Sequence, residues 1–262
     1  MTPRTDGLAS PARARAFTRA RRLATGRQRR ALGWFRLGIA ALEVVALIGN
    51  FVYVLGFRAF ATANFFSYFT VQSAFAAVAT LVLAGGYALL APRDPRWLGT
   101  LRTIVTVYVV ISGIVFALIV ANASTRDYRI EVPWSDTLLH FVVPALALVA
   151  WTVDAALAVN PRVPWSTLGW VLVYPVLWLG YTLVRGADVG WYPYFFLDET
   201  QVGGPWGVAL YCAVVLVIFV SVTAGLVGLN RGLWRTARDR RARRSGMSDR
   251  RAGRAAVPAT PR

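Results

Sequence analysis

The chain has 262 residues, 56% of them hydrophobic and 16% charged, with a mean hydropathy of +0.50; soluble domains carry about a quarter charged residues, so this composition points to lipid. All 29 basic residues are arginine and the net charge is +17, which excludes a lysine Schiff base to retinal or pyridoxal phosphate. One cysteine, Cys212, and one histidine, His140, exclude an intrachain disulfide, a thiolate metal cluster, bis-histidine haem ligation and a dinuclear histidine centre.

The charge is unevenly placed. Residues 1–36 hold ten arginines against Asp6, and 231–262 hold eleven against Asp239 and Asp249, while 37–230 hold eight arginines and nine acids. Residues 1–31 lack apolar periodicity and read as a disordered cytoplasmic tail, 32–230 as a transmembrane domain, and 231–262 as a second disordered, arginine-rich tail. Basic residues beside apolar spans act as topology signals and contacts for anionic membrane lipids. Nothing apolar surrounds them that could fold around a duplex, so no nucleic-acid partner is expected.

Apolar runs follow at 37–56, 66–90, 102–122, 137–158, 166–184 and 206–229. Each approaches the roughly 20 residues that cross a hydrocarbon core as a helix, and an open sheet would leave backbone groups unpaired in lipid. The expected fold is therefore all-α, an integral membrane bundle of six transmembrane helices. The first run, with Ala61-Thr62-Ala63 after it, looks like a signal peptide but exceeds the roughly 7–15 apolar residues of one, and reads as a retained span. With both tails in the cytoplasm of a cell whose plasma membrane holds the chain, the inner loops are 91–101 and 159–165, with Arg93, Arg96 and Arg162 against Asp94. The outer loops 57–65, 123–136 and 185–205 hold four arginines and six acids, in keeping with the positive-inside rule. Trp97, Trp134, Trp165, Trp191 and Trp206 fall at span ends, as interfacial tryptophans do. Pro175 is expected to kink the fifth span.

The polar residues inside this pattern are the candidates for chemistry. His140 lies about one turn into the fourth span, and an ionisable residue there marks a functional site by default. Asp136, four residues earlier on the same helical face, is placed to hold one ring nitrogen and fix the tautomer. The second span opens with Asn64-Phe65-Phe66-Ser67-Tyr68-Phe69-Thr70-Val71-Gln72-Ser73, polar for a membrane helix. Ser67 and Thr70 share a face by their spacing and lie at the depth of His140, and a hydroxyl beside a histidine base is the minimal nucleophilic pair. Helix–helix hydrogen bonding by Ser, Thr and Gln accounts for the same residues without chemistry. The aromatics of 191–196 face the same side and suit an interfacial loop or lid. Glu43 in the first span calls for a polar neighbour, and Asp154 is expected to pair with Arg162. Nucleophile-elbow, zinc and phosphate-loop motifs are absent from the sequence.

Three segments together resemble the androgen-induced protein family of multispan membrane proteins, and in particular its bacterial six-span branch. They are 65–73, Leu139-His140-Phe141-Val142-Val143-Pro144, and Arg185-Gly186 with Gly190-Trp191-Tyr192-Pro193-Tyr194-Phe195-Phe196-Leu197-Asp198, within a similarity over about 33–230. The resemblance implies a hydrolase of fatty-acid esters with a membrane-embedded hydroxyl nucleophile, Ser67 or Thr70, and His140 as base. It requires no metal and no organic cofactor. The alternative is a non-catalytic protein, a transporter or sensor included, that binds a lipid or a partner in the same cavity.

Overall fold

The computed structural model describes residues 11–57, 61–124, 132–158 and 160–255. Most of them are helical, with no strand among the described residues. In chain order the helices are α1 (Pro11–Leu55), α2 (Thr62–Ser67), α3 (Phe69–Leu90), α4 (Arg96–Ser124), α5 (Trp134–Thr137), α6 (Val143–Leu157), α7 (Thr167–Val189) and α8 (Pro205–Ala255). A π-helical turn, Leu138–Val142, joins α5 to α6, and a 3-10 turn, Phe195–Leu197, lies between α7 and α8. Six stretches are long and apolar enough to cross a membrane: Gly26–Leu55, Phe69–Leu90, Arg96–Ala121, Trp134–Leu157, Thr167–Val189 and Pro205–Arg240.

The chain therefore forms the expected all-α bundle of six membrane-spanning helices. Large apolar side chains such as Ile48, Val52, Leu177 and Val184 face outward, as a lipid solvent permits. The interior is built from small and aromatic residues: Ala46, Ala74, Ala77 and Ala84 let α1 and α3 pack closely, while Phe69, Tyr108, Trp178 and Phe219 interlock where α3, α4, α7 and α8 meet.

The first and last helices run on beyond the apolar spans. Helix α1 already runs from Pro11 and α8 continues to Ala255, so helix covers most of 1–31 and 231–262; 1–10 and 256–262 lie outside the described residues. The composition explains this, since Ala and Arg rank among the strongest helix formers and extend a helix already nucleated by a packed span. Arg29, inside the segment read as disordered, is buried. Its guanidinium bonds Asp94 at 2.7 Å and the carbonyls of Tyr87 and Ala91.

That contact belongs to an ion cluster at the end of the bundle carrying 91–95 and 160–166. Asp94 also pairs with Arg102, and Asp154 with Arg36 at 3.1 Å and Arg102 at 2.8 Å. Asn160 closes the cluster on both carboxylates. Burial alone raises the Asp94 carboxyl, but the Arg102 and Arg29 guanidiniums outweigh it and hold the group below the usual carboxylate value. Asp154 thus takes Arg36 and Arg102 as partners, not Arg162, because its helical face points into the bundle while Arg162 is exposed. Glu43 is 1% exposed and its Oε2 has no hydrogen-bond partner, against the expected polar neighbour.

Candidate functional site

Two prolines and one break in a helix position the site at the other end of the bundle. A proline in a helix lacks its N–H and its ring crowds the carbonyl four residues earlier. For Pro144 that carbonyl is His140's. The chain responds with the π turn, in which Val143 N–H donates to Leu138 O. The His140 carbonyl is displaced toward α4, where it abuts Gly113 so closely that a β-carbon there would overlap it. For Pro175 the carbonyl is Val171's, and the Tyr108 hydroxyl satisfies it at 3.0 Å. Helix α7 continues through Pro175 from Thr167 to Val189.

The break lies at Tyr68, whose backbone is extended (φ −65°, ψ 135°) between α2 and α3. Its freed groups are satisfied one by one. Trp178 Nε1 donates to Ser67 O at 3.0 Å, Gln72 Nε2 to Phe66 O at 2.8 Å, and Tyr68 N to Phe65 O. Gln72 in turn accepts from the Tyr174 hydroxyl. Arg185 reaches from α7 to Asn64 Oδ1 at 2.6 Å and lies over Trp191.

Because of this break, Ser67 and Thr70 do not continue one helical face. The buried Ser67 hydroxyl donates to Ala63 O at 2.7 Å and lies 3.3 Å from the Tyr181 hydroxyl. Thr70, in the first turn of α3, lies with its Oγ1 3.3 Å from His140 Nε2, 2.8 Å from Ser112 Oγ and 3.5 Å from the Tyr194 hydroxyl. Of the two hydroxyls, Thr70 is the one the fold brings to the imidazole.

His140 is buried, and its ring stacks on Phe116 with centroids 3.9 Å apart and planes 11° from parallel. Its Nδ1 lies 3.0 Å from the main-chain carbonyl of Asp136. A carbonyl only accepts, so Nδ1 carries the proton and Nε2 presents a lone pair toward Thr70. The Asp136 carboxylate instead takes Asn50 Nδ2 at 2.6 Å and stands 3.8 Å from Nδ1. The residue expected to fix the tautomer does so through its backbone oxygen, while its carboxylate is engaged by Asn50.

Thr70, Ser112, His140 and Tyr194 form the polar corner of a cavity of about 280 Å³. The rest of the wall is largely apolar, from residues such as Phe116, Ile119, Leu179 and Leu216. Tyr194 is clasped by Tyr68, Trp178 and Phe196. Burial pushes its phenol up to about 12 against the opposing hydrogen bonds of Thr70, so it stays protonated and able to donate at neutral pH.

Ser112, Phe116 and Gly113 were not singled out from the sequence. They lie in an apolar run whose only local signal is the Ser112-Gly113 pair. No group of His, Cys, Asp and Glu among the described residues is arranged to hold a metal. No family model, curated protein or solved structure matches this chain.

Proposed function

We propose that the chain is a lipid-ester hydrolase of the membrane, as the resemblance to the androgen-induced protein family implies, and that of the two hydroxyls that resemblance leaves open Thr70 is the nucleophile, with His140 as general base. The supporting observation is the 3.3 Å approach of Thr70 Oγ1 to His140 Nε2 at the corner of an apolar cavity. In this reading a long acyl chain lies along the cavity with its ester carbonyl beside Thr70. Thr70 Oγ1 attacks the carbonyl carbon while its proton passes to Nε2. The leaving alcohol takes that proton, and water then attacks the acyl-threonine with the same base assisting. Ser112 Oγ and the Tyr194 hydroxyl lie within 3.5 Å of Thr70 Oγ1 as well, and in this reading they donate to the developing oxyanion. Orientation with this site toward the outer face and both tails in the cytoplasm belongs to the same proposal.

The second reading, a lipid-binding protein without turnover, is favoured by one distance: Thr70 Oγ1 lies closer to Ser112 than to His140. A direct assay separates the two. Protein purified in detergent should release the alcohol of a long-chain acyl ester. Thr70→Ala should remove that activity and Ser67→Ala retain most of it. Acyl-ester binding without release by the wild type would favour the binding protein.

A further inference from the structure

We infer a binding site for the phosphate of an anionic phospholipid at the end of the bundle opposite Thr70, where α4, α7 and α8 meet. A cleft of about 510 Å³ opens there between Arg96, Trp97, Thr100, Arg162 and Arg231. None of its three arginines has an ion-pair partner among the described residues, because Asp94 and Asp154 are taken by Arg29, Arg36 and Arg102. The cleft is therefore a concentration of uncompensated positive charge. The first turn of α4, from Arg96 to Gly99, lines it and adds the partial positive charge of a helix N-terminus.

Two of the three arginines are held rather than free. Arg162 lies over the Trp234 ring at 5.0 Å, and Arg231 over Trp165 at 5.9 Å. Arg231 Nη1 also donates to Val163 O at 3.4 Å, and Asn230 accepts from Val163 N–H at 3.0 Å, which fixes the loop before α7 against α8. Guanidiniums so arranged lose little freedom on closing around a phosphate, and their planar forks suit its oxygens.

The occupant is a lipid rather than a soluble anion because of where the cleft lies. Arg96 and Thr167 open membrane-spanning stretches. Trp97 and Trp165 beside the cleft are 51% and 48% exposed, as indoles are at the headgroup level. A phosphate there has its acyl chains running down the apolar outer face of the helices. Basic pockets between spans take acidic headgroups in this way.

The test uses the full chain in neutral detergent and native mass spectrometry. It titrates phosphatidylglycerol, then phosphatidylcholine, then inorganic phosphate as competitor. The wild type should retain phosphatidylglycerol in preference to phosphatidylcholine. A basic residue at an anionic surface is worth about 1 kcal/mol, roughly fivefold. Arg96→Gln and Arg162→Gln, both on exposed side chains, should therefore each weaken retention about fivefold, and the triple change with Arg231→Gln about a hundredfold. The same loss of charge by Arg235→Gln, Arg240→Gln and Arg243→Gln, outside the cleft, should change retention less than twofold. Equal retention by the cleft variants would overturn the site. So would equal loss in the second triple, which would mean diffuse attraction to the helix, or displacement by millimolar phosphate, which would mean a soluble anion.

Discussion

Gly113→Ala tests how α4 and the π turn position the imidazole. The added methyl would overlap the His140 carbonyl oxygen, which is a main-chain atom and cannot rotate away. Overpacking of this kind costs about 1–3 kcal/mol. For a chain of this size roughly 2–4 °C accompanies each kcal/mol, so the melting temperature in detergent should fall by about 2–12 °C. The π turn must retreat from α4, and His140 Nε2 moves with it away from Thr70, now 3.3 Å distant. A misplacement of about 1 Å at a reacting pair costs on the order of a hundredfold in rate. Ester hydrolysis should therefore fall at least tenfold in the protein that remains folded. Gly99→Ala on the same helix is the control, since a methyl there meets nothing within 4 Å. Replacing this helical glycine, in the first turn of α4, with alanine should hold stability or raise it by less than about 1 kcal/mol. If Gly113→Ala melted and turned over like Gly99→Ala, the claimed contact between α4 and the His140 carbonyl would be wrong.

Pro144→Ala restores a backbone N–H, so the His140 carbonyl regains a helical donor and the π turn relaxes. Hydrolysis should fall more than tenfold while the melting temperature does not drop. Asp136→Asn should cost less than tenfold in hydrolysis, because the main-chain carbonyl holds Nδ1, whereas His140→Ala should lose about 10²–10⁴-fold, the range of general-base assistance. The Asp94 carboxyl is held low in the folded chain, so its stabilising contribution is complete above the unfolded value near 4 and is lost as pH falls through the folded value. Denaturation should show Asp94→Asn destabilised by about 3–5 kcal/mol at neutral pH, with the gap to wild type closing only at acid pH. Glu43→Met removes a buried oxygen without a partner and should raise stability by about 1–3 kcal/mol; a loss would mean that Glu43 has a partner in the membrane.

The six spans were legible in the sequence because a hydrocarbon core demands a run of apolar residues, whatever the packing inside. Their ends were less so. Arg29 and Arg36 look like tail and flank, yet both are buried, because their acids arrive from α6 and from the residue run before α4. His140 stood out as the only imidazole, and Thr70 was one of two hydroxyls placed at its depth. The choice between Thr70 and Ser67 rests on the Tyr68 break. Three-residue spacing implies a common face only in an unbroken helix, and no proline or glycine marks this break. The π turn had a local cause in Pro144, but its effect appears only when Gly113 on another helix receives the displaced carbonyl. Ser112 and Tyr194 join Thr70 across separations of 42 and 124 residues, which no local pattern encodes.

The most direct test of the central claim is site mapping with a long-chain alkyl fluorophosphonate, which traps an activated hydroxyl. Peptide mass spectrometry of the labelled wild type should place the adduct on Thr70, and His140→Ala should remove it while Ser67→Ala leaves it in place. An adduct on Ser67, or labelling of Thr70 that persists undiminished in His140→Ala, would contradict the Thr70–His140 pair.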